Sequence, residues 1–130
     1  MTGVQTCALP ICFTNVTQSV DDGTSWNALS PLPSNGINDN EVSALAVANS
    51  NSNVLYAARR IRFEFNSPSG MYHSSDAGIT WNEITAGLPD TLYFTSTDVS
   101  LTNANTDYVF LSGFVVGEKV YKIANAGSIW

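Results

Sequence analysis

The sequence predicts an all-β fold of repeated four-stranded antiparallel units, the architecture of β-propeller blades, and three observations lead to this prediction. A short motif that ends in tryptophan occurs at residues 19–26, 74–81 and 123–130. Between these motifs, residues 45–56 match residues 99–110 at a constant offset of 54. Short apolar stretches alternate with clusters of Asn, Ser and Gly, which is typical of strands joined by tight turns. Four antiparallel strands in about 40–55 residues make one blade of a propeller.

The first twelve residues differ in character from the rest of the chain. Residues 1–12 resemble the translation of a DNA-sequencing adapter rather than natural coding sequence, and a genuine N-terminal segment is the alternative. Cys7 and Cys12, the two cysteines of the chain, both lie in this segment. We therefore expect the segment to pack poorly or to form a strand by accident, and we predict no disulfide, redox motif or zinc site.

The repeat divides the remaining chain into parts of three blades. Residues 13–29 end one blade, residues 42–85 form a complete blade and residues 97–130 form a truncated one, about two and a half blades in all. The complete blade should contain four strands, with a polar turn after the first and the tryptophan motif between the third and fourth. Their predicted bounds are Val42–Ala48, Val54–Ala58, Gly70–Ser74 and Trp81–Thr85. A solenoid of stacked hairpins is the competing architecture.

The motif at residues 74–81 has the composition of a hairpin corner. Asp76 is expected to accept backbone N–H groups of its own turn, and Gly78 is expected to supply a positive φ that a side chain would make costly. The hydroxyls of Ser74 and Thr80 flank the turn, where they can pair with each other or with the backbone. Trp81 follows, and its ring should be the largest apolar group that the repeat buries.

The other two copies of the motif have equivalents of these residues. They are Ser19, Asp21, Gly23, Ser25 and Trp26 in the first copy, and Asn125, Gly127 and Trp130 in the third. The third copy departs from the pattern because Asn125 stands for the aspartate and isoleucines stand for the Ser and Thr. Its turn should be held less tightly.

With this motif at blade spacing, residues 13–130 resemble the Asp-box repeat superfamily, also called bacterial neuraminidase repeats. That superfamily includes sialidases, xyloglucanase-type glycoside hydrolases, sortilin-type domains and surface propellers of Bacteroidota. Residues 87–89, 97–99 and 110–114 look most like propellers of secreted Bacteroidota proteins. The resemblance implies a secreted or cell-surface bacterial protein. It also implies that the motif lies on the outer rim of a blade, away from the channel, with structural rather than catalytic residues.

Composition and charge exclude several classes of function. Five basic residues against eleven acidic ones give a net charge of -6, which repels a phosphate backbone, so we expect no nucleic-acid partner. No apolar run approaches the roughly 20 residues that cross a bilayer, so we expect no membrane span. Residues 38–41 offer oxygen ligands but lack the glycine and spacing of a calcium loop. We predict no metal and no cofactor.

The basic side chains and the histidine are examples of residue types that bind ligands in other proteins. Arg59, Arg60 and Arg62 are the candidates for gripping a carboxylate, and solvated loop charge, with Glu64 as a partner, is the favoured alternative. His73, the one histidine of the chain, has no visible triad or metal partner. We expect it to have a structural role on a strand with one packed face and one exposed face.

Two further residues are candidates for ligand contact. Asp98 is placed at the start of an inner strand, where a carboxylate would line a cleft, and turn capping is its structural alternative. Tyr93 belongs to an aromatic pair that would stack on a sugar ring or, alternatively, pack between blades. Neither completes the carboxylate pair that a glycosidase needs.

Two functions remain. The first is a non-catalytic propeller scaffold or binding module for a carbohydrate or protein ligand. The alternative is part of a sialidase-like or xyloglucanase-like glycoside hydrolase whose catalytic residues lie outside this stretch.

Overall fold

A computed structural model describes residues 5–7, 16–33, 42–59, 70–88, 93–100, 102–113 and 117–124. These residues form ten strands, without a helix, in three antiparallel sheets. The strands are β1 (Gln5–Cys7), β2 (Thr17–Ser19), β3 (Asn27–Ala28), β4 (Val42–Val47), β5 (Leu55–Arg59), β6 (Gly70–Ser74), β7 (Asn82–Glu83), β8 (Tyr93–Val99), β9 (Asp107–Gly113) and β10 (Gly117–Ile123). The predicted all-β class is confirmed.

The middle sheet has the four strands that the sequence predicts, in the order β4-β5-β6-β7. A tight turn joins β4 to β5, since the N–H of Ala48 donates to Val54 O at 2.9 Å. The fourth strand is shorter than predicted because only Asn82 and Glu83 pair in register with β6. Ile84 still donates its N–H to Met71 O at 2.8 Å, which holds the chain beside β6 beyond the strand end.

The two flanking sheets contain three strands each among the described residues, in the orders β1-β2-β3 and β10-β9-β8. In the first sheet, Gln5–Cys7 pairs with Thr17–Ser19, so part of the adapter-like segment lies at a sheet edge. In the third sheet, β8 begins at Tyr93, before the boundary at residue 97 that the sequence predicts.

The core lies between the sheets, because both faces of the middle sheet are covered. Leu55, Ala57 and Tyr72 pack with Leu32 and Trp81 on one face. On the other face lie Ala46, Tyr56, Ala58 and Met71, which pack with Val99 and Ile123 of the third sheet. β8 packs against β4 and β5 without joining their ladder. A solenoid would continue one ladder from repeat to repeat, whereas these sheets pack face to face.

Candidate functional site

The turn between β6 and β7 is closed by three side chains of the tryptophan motif. The Ser74 hydroxyl donates to Asp76 Oδ1 at 2.8 Å and accepts the backbone N–H of Gly78 at 2.8 Å. The Asp76 carboxylate accepts the backbone N–H of Thr80 at Oδ1 (2.8 Å) and the Thr80 hydroxyl at Oδ2 (2.6 Å). Both carboxylate oxygens are therefore engaged within the turn.

The turn between β2 and β3 repeats this pattern. The Ser19 hydroxyl donates to Asp21 Oδ1 at 2.9 Å and accepts the Gly23 N–H at 2.7 Å. Ser25 donates its backbone N–H to Asp21 Oδ1 at 2.8 Å and its hydroxyl to Oδ2 at 2.6 Å. The two turns thus have the same hydrogen-bond network at closely similar distances.

Each turn has two consecutive residues with positive φ. The angles are 55° and 86° at Asp22 and Gly23, and 58° and 83° at Ala77 and Gly78. Positive φ at both central positions is the geometry of a type I′ turn, whose twist suits a β-hairpin. The sequence predicts the glycine, but the strained Ala77 carries no such signal, because alanine has no intrinsic preference for this conformation.

The hydrogen bonds stabilise the ionised form of both motif carboxylates. The Thr80 hydroxyl contributes most, followed by the Thr80 N–H, and together with Ser74 they lower the pKa of Asp76 to about 2. The Ser25 hydroxyl and N–H likewise lower the pKa of Asp21. A general acid needs a pKa near the working pH. These two carboxylates are therefore unsuited to donate protons near neutral pH.

The turn between β6 and β7, the second of the two along the chain, also binds the segment that connects the first sheet to the second. The backbone N–H of Ser30 donates to Gly78 O at 3.2 Å, and the Trp81 indole N–H donates to Ser30 O at 3.0 Å. Leu29 lies over the glycine, since a Cβ at Gly78 would be 2.5 Å from Leu29 Cδ1. Leu32 then packs beside Trp81. The turn thus positions one blade against the next.

Arg59 is buried, and its prediction as solvated loop charge is wrong. Its side chain is 3% exposed, with Nη1 donating to Pro33 O at 2.8 Å and Cζ 5.0 Å from the centroid of the Tyr72 ring. Burial raises the pKa of Tyr72 to about 12, although the positive charge of Arg59 opposes that rise. Within the part of the chain that the structure describes, Arg59 Nε has no hydrogen-bond partner. Arg59 therefore ties the connecting segment to the end of β5.

His73 lies on the face of the middle sheet that packs against the third sheet. Its ring centroid is 5.0 Å from that of Tyr56, at an interplanar angle of 51°, and the Tyr56 hydroxyl donates to Ala104 O at 2.9 Å. The Nε2 atom of His73 is buried and has no hydrogen-bond partner among the residues that are described. Burial lowers the pKa of the imidazole. The expected exposed face of this strand is wrong, because the neighbours Tyr72 and Ser74 are buried and Met71 is buried on the opposite side.

The structure separates the two ligand candidates of the third sheet. Tyr93 begins β8, whereas Asp98 is next to its last residue and is exposed beside the turn that leads to β9. The premise that Asp98 begins an inner strand is wrong. Five residues of strand put roughly 16 Å between their backbones. Tyr93 lies at the sheet end that corresponds to Arg59 in the middle sheet, while Asp98 lies at the opposite end.

Several predicted residues lie outside the described part of the chain. These are Arg60, Arg62, Glu64, residues 38–41, and residues 125–130 of the third motif, with Asn125, Gly127 and Trp130. Among the residues that are described, no group of three or more His, Cys, Asp or Glu side chains is placed to hold a metal ion. Within the same residues, no helix is long and apolar enough to cross a membrane.

A shallow, open depression of about 410 Å³ lies beside the outer strand of the middle sheet. It is lined by Glu83, Thr85, Ala86, Gly87 and Leu88. One carboxylate among these lining residues does not make the pair that glycoside hydrolysis requires.

Sequence reasoning missed the contacts that join one sheet to another. The Arg59–Pro33, Trp81–Ser30 and Tyr56–Ala104 hydrogen bonds span 26, 51 and 48 residues. The repeated motif carries one usable signal. Leu29 and Ile84 occupy equivalent positions after the tryptophans, and both donate their N–H across the hairpin. The partners across sheets carry no local pattern.

Comparisons with known proteins are consistent with this geometry. The chain resembles the crystal structure of the GH74 xyloglucanase from Xanthomonas campestris with a TM-score of 0.62 and 18% identity, covering 86% of this chain and 17% of that one. It resembles the GH74 enzyme of Niastella koreensis with a TM-score of 0.53 and 17% identity, covering 82% of this chain and 19% of that one.

The chain thus spans less than a fifth of the length of these two structures. No family model and no curated protein matches it. At this level of identity the likeness shows the fold alone. The chain has an all-β fold whose antiparallel sheets are consecutive blades of a β-propeller.

Proposed function

We propose that the chain belongs to a secreted or cell-surface Asp-box β-propeller in which it acts as a non-catalytic scaffold or binding module. The observation that carries this proposal is the complete engagement of the motif carboxylates. Both oxygens of Asp76 and both of Asp21 accept hydrogen bonds from their own turns. A carboxylate fixed in this way stabilises a corner and is not free to attack a substrate or to protonate one.

The positions of the remaining candidates also support a role without catalysis. An inverting glycosidase needs two carboxylates about 6.5–9.5 Å apart across a cleft. Asp98 is the one carboxylate among the ligand candidates, and it is exposed at the end of β8 that leads into the turn. The other candidate, Tyr93, lies at the opposite end of the strand and is not a carboxylate. A ligand, either carbohydrate or protein, would then bind through the assembled propeller, with Tyr93 as the candidate contact in this part.

Hydrolysis assays test the non-catalytic role. The chain is incubated with xyloglucan and, separately, with sialyllactose, and released sugars are quantified against Asp98→Asn and Asp22→Asn variants. Asp22 is an exposed turn residue whose positive φ asparagine tolerates, so its variant is the matched control. We expect no release above background from any of the three proteins. Hydrolysis by the unmodified chain that Asp98→Asn abolishes and Asp22→Asn preserves would overturn the proposal.

A second candidate function is part of a glycoside hydrolase with its catalytic residues on other blades. The observation that favours it is that both solved structures compared above are described as GH74 enzymes, one of them a xyloglucanase. Recovering the sequence on either side of this stretch from the source DNA distinguishes the two. A pair of cleft carboxylates on flanking blades would favour the hydrolase, whereas flanking blades without such a pair would favour the scaffold.

A further inference from the structure

The turn between β2 and β3 differs from the turn between β6 and β7 in one respect. A space that is filled at the second of these turns is open at the first. At Gly78, a Cβ would lie 2.5 Å from Leu29 Cδ1, so Leu29 occupies the space over the glycine. At Gly23, the nearest atom that a Cβ would meet is Trp26 Cζ2 of the same turn, at 3.9 Å. Within the described ranges, the first turn therefore lacks the aliphatic side chain that covers the second.

The tryptophans of the two turns show the same difference. Trp81 is 7% exposed, and its indole N–H donates to Ser30 O. Trp26 is 43% exposed, and its indole N–H has no hydrogen-bond partner among the described residues. A large ring with an unshared donor at a sheet face is a common feature of protein recognition surfaces.

The backbone around the open space is the same as around the filled one. The φ angles are 86° at Gly23 and 83° at Gly78, and the serine and aspartate hydrogen bonds are repeated. Gly23 therefore holds the same place in its turn as Gly78, and Trp26 follows its glycine at the same spacing in sequence as Trp81 does. The occupied turn shows which group fits the open one.

We propose that the surface formed by Gly23 and Trp26, termed the Gly23–Trp26 surface, binds an extended peptide segment with aliphatic residues at its first and fourth positions. The first aliphatic side chain covers Gly23, as Leu29 covers Gly78. The next residue donates its N–H to Gly23 O and accepts the Trp26 indole N–H, as Ser30 does at the second turn. The second aliphatic side chain packs on the Trp26 ring, as Leu32 packs beside Trp81.

A titration with a peptide of residues 27–33, Asn-Ala-Leu-Ser-Pro-Leu-Pro, tests this proposal. The full chain is labelled with ¹⁵N, and the indole N–H resonances are followed by NMR, with Trp26 assigned from a Trp26→Phe variant. We expect the Trp26 resonance to shift with a dissociation constant on the order of millimolar, since a short flexible peptide loses freedom on binding. The Trp81 resonance should not move, because its surface is already occupied.

Two variants distinguish a specific fit from general contact. Asparagine can adopt the positive φ of this position, but it adds a Cβ in the space that the first aliphatic side chain would occupy. The Gly23→Asn variant should therefore bind the peptide about tenfold more weakly, or weaker still. Gly87→Asn is the matched control, because Gly87 also has a positive φ, 96°, but lies after β7 and away from this surface. A peptide with Leu29→Asp should produce no shift of the Trp26 resonance.

Three results would overturn the proposal. The first is the absence of any Trp26 shift at saturating peptide concentrations in a chain whose amide spectrum is dispersed. The second is equal binding to the Gly23→Asn and unmodified proteins. The third is a Trp26 shift that depends on protein concentration and excludes the peptide, since it would place a second copy of the chain on the surface.

Discussion

Asp76 has a pKa of about 2 because its ionised form accepts hydrogen bonds from Thr80 and Ser74. Model aspartate side chains titrate near pH 3.9. Between these values the unfolded chain binds a proton that the folded chain does not. The stabilisation is therefore present above about pH 4 and is lost as pH falls through the folded pKa. Asp21 also stabilises the folded chain more above this pH range than below it, because its pKa is lowered too.

The acid limb of the stability profile tests these carboxylates. We expect the melting temperature, followed by circular dichroism, to fall between about pH 4 and pH 2. Asp76→Asn should lower the melting temperature at pH 7 and flatten part of this fall, because asparagine has no proton to gain. The Asp22→Asn variant should retain the unmodified profile. An acid limb of the same slope in the Asp76→Asn protein would contradict the assignment.

His73 gives a second, separate pH dependence. Burial lowers its pKa below the usual 6.5, so the unfolded chain takes up the proton more readily than the folded chain. The free energy of unfolding should therefore be highest above about pH 7 and should fall as pH decreases through 6.5. Because His73 is the one histidine of the chain, a His73→Gln variant should remove this dependence between pH 7.5 and pH 5. Urea titrations at a series of pH values measure the free energy of unfolding. The same pH dependence in the variant and in the unmodified chain would refute the assignment to His73.

At the scale of the element, Gly78 serves both the turn and the contact between sheets. A side chain there would be strained by the φ of 83° and would meet Leu29 at 2.5 Å. Gly23 has a similar φ, 86°, but among the described residues it has no such neighbour.

The difference between the two glycine turns can be measured. We expect Gly23→Ala to cost about 1–2 kcal/mol from backbone strain, and Gly78→Ala to cost about 1–3 kcal/mol more because the connecting segment must move. Chemical denaturation of both variants gives the comparison. Equal costs would indicate that Leu29 does not press on the second turn in solution.

Arg59 joins the connecting segment to β5 through its hydrogen bond to Pro33 and its position over the Tyr72 ring. A lysine retains the charge but lacks the planar guanidinium. We expect Arg59→Lys to destabilise the chain by about 1–2 kcal/mol. Lys122→Arg, at an exposed position, should change stability by less than about 0.5 kcal/mol. An Arg59→Lys protein as stable as the unmodified chain would show that the contact contributes nothing.

At the scale of the whole molecule, the sequence predicted the features that local chemistry and periodicity determine. The order of four strands in the middle sheet follows from the apolar stretches and from the turn residues between them. The glycine at each corner follows from the need for positive φ. The repeated tryptophan motif related Asp21 to Asp76 and indicated that one turn geometry would occur twice.

Other features depend on neighbours that are distant in sequence. Arg59 looks like loop charge because nothing beside it in sequence reveals that Pro33 and Tyr72 cover it. His73 suggests a half-exposed strand because alternation does not reveal that sheets lie on both faces. Asp98 was misplaced along its strand because β8 begins at Tyr93, before the matching segments start. Burial between sheets is a property of their packing, which no local pattern reports.

The second and third sheets pack face to face as adjacent blades, and the propeller arrangement depends on this packing. The Tyr56 hydroxyl, 2.9 Å from Ala104 O, bridges this interface. The most direct test is a nuclear Overhauser spectrum of the full chain. We predict cross-peaks between the Tyr56 ring protons and the protons of Ala104. Cross-strand amide contacts between Asn82–Glu83 and Tyr93–Val99, without the Tyr56–Ala104 cross-peaks, would instead show one continuous ladder and contradict the propeller arrangement.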